Sequence, residues 1–110
     1  MPARREVDWT DGAKEDLRAI IEHIADDSPG AALRSLRRIR ESAESLNVMP
    51  GRGRMIPELA PMRDASFREL ILVPWRIAYR ISDRTVTVFA VVDARRDLAA
   101  LLNERASRPT

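Results

Sequence analysis

The chain has 110 residues, of which 45% are hydrophobic and 33% are charged, and its formal net charge is +2. This is the composition of a folded globular chain with room for one domain, and it excludes an intrinsically disordered protein. The absence of cysteine excludes disulfide bonds, thiolate metal sites and a cysteine nucleophile.

The N-terminus and the hydropathy pattern bear on localisation. Residues 1–6 include two arginines and no apolar run of the kind that signal peptides contain. No apolar stretch approaches the roughly 20 residues needed to cross a bilayer. We therefore expect a cytoplasmic protein without membrane contact, folded as a single domain over residues 1–110, with a frayed tail at 106–110.

The charge is unevenly distributed along the chain. Residues 1–27 carry four basic and eight acidic side chains, whereas residues 28–110 carry fifteen basic and nine acidic side chains. The second segment therefore has a net charge of +6, and every basic residue except Lys14 is an arginine. A positive surface of this kind suits an acidic partner or nucleic acid, but a solvated face without function explains the charge equally well.

The first half of the chain predicts a strand and two helices. Alternating polar and apolar residues indicate a short strand at 4–9. Thr10 can cap a first helix with one apolar stripe, which should end before or at 26–27, where acidic residues oppose the helix dipole. Ser28 can cap a second amphipathic helix that ends near residue 47. The short turn between the two predicts an antiparallel helical hairpin.

The second half predicts a loop, three strands and a helix. Three prolines and two glycines at 49–66 indicate a long loop. Strands are predicted at 67–73, 75–81 and 85–92. The last strand is apolar on both faces and should lie in the middle of a sheet. Asp93 should then open a final helix that ends near Arg105.

Together these elements predict an α+β fold with the order β-α-α-β-β-β and a short C-terminal helix. Short connections favour an antiparallel meander for the last three strands. We expect the antiparallel helical hairpin to pack on one face of this mainly antiparallel sheet.

Few residue patterns indicate catalysis. The single histidine, His23, lies within the first predicted helix and has no nucleophile-elbow motif to support it. One histidine and no cysteine predict no metal site, and no motif predicts a cofactor. Carboxylates near the start of the first helix, such as Asp11 and Asp16, complement the helix dipole. We therefore assign no catalytic residue.

Arginines are the candidates for partner binding. The segment 51–54 (GRGR) lacks the ending of a phosphate-binding loop, and is either a turn with two solvated arginines or a flexible basic arm that touches nucleic acid or a protein. Arginines on neighbouring predicted strands can form one basic sheet face that holds phosphates, or can pair with nearby carboxylates. These candidates are Arg68, Arg76 and Arg80 on the strands, and Arg95 and Arg96 beyond them.

Six segments resemble the ParE/RelE toxin superfamily. They are 7–10 (VDWT), 20–25 (IIEHIA), 50–52 (PGR), 67–70 (FREL), 75–81 (WRIAYRI) and 91–98 (VVDARRDL). The resemblance implies the toxin of a bacterial type II toxin–antitoxin pair, neutralised by a cognate, ParD-like antitoxin whose C-terminal segment wraps the toxin. It also implies that the pair binds operator DNA through the antitoxin.

The resemblance implies one of two activities. RelE-like members are ribosome-dependent mRNA endoribonucleases, whereas ParE-like members inhibit DNA gyrase and lack the nuclease residues. Arg68, Arg76 and Arg96 match basic positions of the ribonucleases, but Leu70 replaces a second basic group, and 98–105 contains no Tyr or His. Arginine is a poor proton carrier because its pKa is above about 12. We therefore favour gyrase inhibition, with the ribonuclease or an inactive binding module as alternatives.

The antitoxin should cover apolar surface that the helical hairpin and the sheet edge leave exposed. An amphipathic helix or an added strand is the usual way to cover such a surface. The candidate contact residues are Leu17, Ile21 and Leu36 on the helices, and Trp75 and Tyr79 on the second strand of the meander.

Overall fold

A computed structural model describes residues 4–106. The first elements are strand β1 (Glu6–Trp9) and two helices, α1 (Asp11–Asp27) and α2 (Pro29–Glu44). The Thr10 hydroxyl accepts the N–H of Ala13 at 3.1 Å, and the Ser28 hydroxyl accepts the N–H of Ala31 at 3.2 Å. Each hydroxyl satisfies a backbone donor that the start of a helix leaves unpaired. Both predicted caps are therefore confirmed, and one residue separates the two helices.

The second half of the described chain forms most of the sheet. Its elements are β2 (Arg54–Met55), β3 (Phe67–Leu72), β4 (Trp75–Ile81), β5 (Thr85–Asp93) and α3 (Leu98–Ala106). The strand order is β1-β5-β4-β3-β2, with β1 parallel to β5 and the other pairs antiparallel. The predicted meander is confirmed, and β5 lies inside the sheet, as its two apolar faces require.

Both faces of the sheet are covered. On one face, which we call the hairpin face, α1 and α2 pack residues such as Leu17 against Ile77 and Val88. On the other, which we call the α3 face, Leu98 of α3 packs with Val92, and a 3₁₀ turn at Pro57–Met62 lies beside α3. Because strand side chains alternate between the two sides, neighbouring residues of β4 belong to different cores.

Two elements differ from the sequence prediction. The final helix begins at Leu98 and not at Asp93, because Asp93 ends β5 and its carboxylate accepts the N–H of Arg95 at 2.9 Å within the following turn. Asp97 caps the helix instead, by accepting a backbone N–H of its first turn at 2.8 Å. The predicted loop at 49–66 contains β2, whose two residues are too few to show an alternating pattern.

The end of the chain is described only in part. Helix α3 ends at Ala106, one residue beyond Arg105, and 107–110 of the predicted tail lie outside the described residues. None of the helices described is both long and apolar enough to cross a membrane.

Candidate functional site

An apolar groove lies between α1, α2 and the edge strand β1. It encloses about 860 Å³, and its apolar lining consists of Val7, Trp9, Leu17, Ile21 and Leu36. Charged residues of both signs line it as well, among them Lys14, Arg18, Glu22, Arg40, Glu41 and Glu44. Three predicted antitoxin-contact residues, Leu17, Ile21 and Leu36, therefore meet in one concave surface.

The other two predicted antitoxin contacts, Trp75 and Tyr79, do not lie on this surface. Trp75 is 9% exposed and Tyr79 is completely buried. Both side chains lie with Ile77 on the side of β4 that the helical hairpin covers. The chain itself buries these aromatic rings. Of the five candidate antitoxin contacts, only Leu17, Ile21 and Leu36 therefore lie on the groove.

Tyr79 has a role that its apolar surroundings do not suggest. Its hydroxyl donates to the carbonyl of Pro50 at 2.6 Å and accepts the N–H of Gly53 at 2.9 Å. A Cβ on Gly53 would lie 2.5 Å from the carbonyl oxygen of Glu69 and 2.6 Å from the Tyr79 hydroxyl, so only glycine fits here. Of the two interpretations of this segment, a turn or a flexible basic arm, the flexible arm is therefore wrong, because the segment is fixed to the sheet.

The predicted arginine candidates do not share one open face. Arg68 is paired in register with Tyr79 and belongs to the hairpin face, whereas Arg80 is paired with Phe67 and Arg76 with Val92 on the α3 face. The period of two explains this difference, because Arg68 directly follows Phe67 and consecutive side chains of a strand point to opposite faces. The expectation of one basic sheet surface is corrected accordingly.

Arg76 is buried and tied to carboxylates. Its guanidinium donates two hydrogen bonds to Glu58, at 2.6 and 2.7 Å, and one to Glu69 at 2.6 Å. It also donates to the backbone carbonyl of Arg96 at 2.8 Å. The side chain of Arg76 is 7% exposed and that of Glu69 is completely buried. Arg76 therefore forms structural ion pairs that join β4 to β3 and to the segment that precedes α3.

The ion pair with Arg76 makes Glu58 responsive to pH. The hydrogen bonds from Arg76 and the N–H of Leu98 outweigh desolvation and lower the pKa of Glu58 to about 2, from its usual 4.5. A carboxyl group with a depressed folded-state pKa stabilises the fold fully above its unfolded-state pKa. This stabilisation is lost as the pH falls from about 4.5 through about 2.

We predict that Glu58→Gln flattens the acid limb of the stability profile. The free energy of unfolding of the wild type should fall more steeply than that of Glu58→Gln between these pH values, as measured by urea titration at each pH. Glu41→Gln, which removes an exposed carboxylate from α2, controls for the change in charge and should keep the wild-type slope. Equal slopes for the wild type and Glu58→Gln would contradict the prediction.

The remaining arginine candidates are accessible. Arg80 is exposed, and its guanidinium carbon lies 5.3 Å above the ring of Phe67. Arg95 is 92% exposed on its side chain and pairs with Asp93 at 3.0 Å, and Arg96 beside it is exposed as well. Arg95 and Arg96 therefore form an exposed basic turn ahead of α3.

Groups that can transfer protons near neutral pH are scarce in the described chain. His23 is exposed on α1, which packs on the hairpin face, while Arg76 belongs to the α3 face. Burial raises the pKa of Tyr79, so its phenol does not act as a base at neutral pH. Over residues 4–106, no cluster of His, Cys, Asp and Glu could hold a metal ion.

Sequence reasoning missed a second ion pair that closes the fold. Arg105 of α3 binds both carboxylate oxygens of Asp16 on α1, at 2.6 and 2.9 Å, and Asp16 also accepts the N–H of Val91 at 3.0 Å. The two partners are 89 residues apart, so no local pattern connects them. Glu69, by contrast, is one of the nearby carboxylates with which the strand arginines could be expected to pair, and it pairs with Arg76 and with Arg54.

Comparison with known proteins identifies the family. Residues 7–98 match the model of the ParE toxin of the type II toxin–antitoxin system parDE. The chain belongs to the ParE toxin family. It is therefore the toxin of a type II toxin–antitoxin system within the wider ParE/RelE group, as the sequence resemblance predicted.

Relatives of this ParE-family chain come from both branches of the group. It is 37% identical to Toxin RelE2 of Caulobacter vibrioides over 92 residues, which cover 83% of this chain and 97% of the relative. Its fold is similar to a chain of the chromosomal ParDE system of P. aeruginosa, with a TM-score of 0.67 and 22% identity. The match covers 84% of this chain and 99% of that chain. The fold is also similar to a chain of the toxin–antitoxin complex RelBE2 of Mycobacterium tuberculosis, with a TM-score of 0.58 and 24% identity. The match covers 83% of this chain and 92% of that chain.

Proposed function

We propose that this ParE-family toxin inhibits DNA gyrase and does not cleave RNA. The observation that supports this most is that, over residues 4–106, few groups beside the sheet arginines can transfer a proton near neutral pH. Cleavage of RNA through its 2′-OH needs a general base and a general acid as well as groups that stabilise the phosphate. Arg76 is held by two carboxylates, and Glu58, with a pKa of about 2, is ionised at neutral pH and cannot donate a proton.

The target-binding residues that we propose are the members of the predicted set that are exposed or only half-buried. Arg95 and Arg96 form a basic turn, and Arg68 and Arg80 lie at the other end of the sheet. Arg76 is excluded because four of its five N–H donors already bond within the chain and its side chain is buried. Long-range attraction to an acidic protein surface or to gyrase-bound DNA would draw on the positive charge of residues 28–110.

The antitoxin that we propose is ParD-like and fills the apolar groove. An amphipathic helix can insert apolar side chains between α1 and α2, and the charged rim can orient it. The two similar structures belong to the ParDE and RelBE2 toxin–antitoxin systems, which supports a partner of this kind. The proposal places toxin, antitoxin and gyrase in the cytoplasm, and operator DNA is bound through the antitoxin.

A supercoiling assay with purified gyrase, run beside a translation-coupled RNA cleavage assay, tests this function. The wild type should inhibit supercoiling and leave mRNA intact. Arg95→Glu/Arg96→Glu should weaken inhibition by about tenfold or more, the size expected when charges at an interface are reversed. Arg37→Glu/Arg38→Glu on the exposed face of α2 makes the same charge change elsewhere and should inhibit as the wild type does.

One outcome would overturn the proposed function, and another would overturn the proposed binding residues. Cleavage of mRNA at the ribosomal A site would establish the alternative, a RelE-like endoribonuclease, which the name of the Caulobacter relative favours. Full inhibition by a correctly folded Arg95→Glu/Arg96→Glu variant would remove the basic turn from the target contact.

A further inference from the structure

A second apolar pocket lies on the α3 face of the sheet. It encloses about 370 Å³ between the 3₁₀ turn at Pro57–Met62 and helix α3. Its apolar lining consists of Leu59, Met62, Phe67, Ala99, Ala100 and Leu102. Met62 is 60% exposed, whereas Leu59 and Phe67 are half-buried. The pocket therefore presents apolar surface to solvent, which marks a surface for a partner.

The pocket is formed before any partner arrives. Glu58 of the 3₁₀ turn accepts the N–H of Leu98, the first residue of α3, at 2.8 Å, so the two walls of the pocket are bonded to each other. The ring of Phe67 is stacked on that of Phe89, with 5.8 Å between their centres. Binding to a preformed pocket needs little ordering of the protein and loses little conformational entropy.

Arginines adjoin the pocket on both walls. Arg80 is paired in register with Phe67, and its guanidinium carbon lies 5.3 Å above the ring of Phe67. Arg63 directly follows Met62 and is exposed. Arg96 is exposed in the basic turn that precedes α3. The pocket therefore lies between the basic turn on one side and Arg63 and Arg80 on the other.

These arginines have no carboxylate partner of their own. Within residues 4–106, neither Arg63, Arg80 nor Arg96 forms an ion pair. The neighbouring carboxylates have other partners, because Asp64 accepts the N–H and the hydroxyl of a serine and Asp97 accepts a backbone N–H of α3. Asp64 and Asp97 offset part of the positive charge but do not bind the guanidiniums. An apolar cavity with such a rim favours a partner that carries carboxylates around an apolar group.

The backbone of Arg63 is a further sign that its side chain has a role. Arg63 ends the 3₁₀ turn with a φ of 52° and a ψ of 31°, in the left-handed region. Glycine adopts this conformation without the steric cost that a Cβ brings. A residue held in a disfavoured conformation where glycine would fit better supports a functional role for its side chain.

We propose that this pocket takes one large apolar side chain of the protein that the toxin targets, and that Arg63, Arg80 and Arg96 bind carboxylates around that side chain. The inference rests on the proposed function, under which the target is gyrase, and it assigns the contact to gyrase itself and not to its bound DNA. A phosphate in the pocket would exchange its hydration for a carbon lining. An apolar anchor in a pocket, surrounded by weaker contacts, is the usual centre of a protein interface.

Equilibrium binding of purified gyrase to immobilised toxin, with and without duplex DNA, tests the pocket. The wild type should bind gyrase in the absence of DNA. Met62→Asp should lower the affinity by about tenfold or more, because it places a carboxylate where an apolar group and other carboxylates dock. Met62→Lys loses the same apolar contact but attracts carboxylates, so it should lose less affinity. Met49→Asp is the matched control, because Met49 is also 60% exposed and does not line the pocket, and it should bind as the wild type does.

Arg63→Gly tests the charged rim without straining the fold. Glycine suits the left-handed backbone at this position, so the midpoint of unfolding should not fall. The affinity for gyrase should fall by about two- to fivefold, the size expected when an exposed ion pair is lost, and the effect should shrink at high salt. Arg38→Gln removes the same charge from the exposed face of α2 and should keep the wild-type affinity.

Several results would overturn the inference. They are wild-type affinity in Met62→Asp or in Arg63→Gly, an equal loss in Met49→Asp, equal losses in Met62→Asp and Met62→Lys, and wild-type binding that requires DNA. The supercoiling assay tests the proposed function separately. A wild type that inhibits supercoiling but binds gyrase only with DNA keeps that function and refutes the pocket. A wild type that binds DNA-free gyrase through Met62 without inhibiting supercoiling does the reverse.

Discussion

Replacing Arg76 with methionine should lower the free energy of unfolding by about 3–5 kcal/mol, the cost of removing one partner from a buried ion pair. The substitution leaves the carboxylate of Glu69, which is completely buried, with only the half-exposed guanidinium of Arg54. It also removes both hydrogen bonds that hold Glu58 beside the first residue of α3. Two carboxylates and the start of a helix therefore lose their common partner.

Chemical denaturation of Arg76→Met and Arg80→Met measures this effect. Arg80 is the matched control, because it lies on the same strand and the same face but is exposed. Its contact with Phe67 is worth about 0.5–1 kcal/mol at an exposed site. Adding Glu69→Gln to Arg76→Met should restore part of the lost stability. A loss below about 1 kcal/mol in Arg76→Met would refute the structural role of this ion pair.

This prediction changes how toxicity data should be interpreted. Arg76 corresponds to a basic position of the RelE-like ribonucleases, so loss of toxicity on mutation invites a catalytic explanation. In this chain the same loss would follow from unfolding alone. Only a variant of Arg76 that keeps the wild-type midpoint of unfolding can report on target binding.

Placing a carboxylate in the apolar groove should abolish neutralisation while leaving the toxin active. Ile21 lines the groove between α1 and α2, so Ile21→Asp introduces a charge that an apolar antitoxin side chain cannot solvate. Affinity for the cognate antitoxin should fall by about 100-fold, which corresponds to about 3 kcal/mol and is typical of a central interface residue. Toxicity should persist because the exposed arginines are elsewhere.

Titration calorimetry with purified antitoxin, together with growth rescue in cells that express both proteins, measures this prediction. Leu33→Asp is the control, because Leu33 is 50% exposed on α2 and does not line the groove. It should bind antitoxin as the wild type does. If Ile21→Asp is neutralised normally, the antitoxin does not use this groove. If both variants lose binding equally, charge alone is responsible.

The order of elements was predictable because it depends on local patterns. Thr10 and Ser28 are good helix caps, and the apolar stripes behind them specify two amphipathic helices. The two apolar faces of β5 predicted an interior strand. The start of α3 was not predictable, because Asp93 and Asp97 are both acceptable caps and only the turn docked against the β3–β4 hairpin selects the second. In that turn, the N–H of Ala94 bonds to the carbonyl of Pro74 at 2.8 Å.

The sequence by itself determined that this chain is a small α+β protein of the ParE group, rich in arginine and poor in groups that transfer protons. Only the tertiary structure decided which arginines are available to a partner. Arg68 and Arg76 look equivalent along the chain, yet the first is half-buried and bonds to backbone carbonyls, whereas the second is enclosed by Glu58 and Glu69. The reason is physical: a guanidinium that leaves water must find carboxylates, and those carboxylates come from distant segments that only folding brings together.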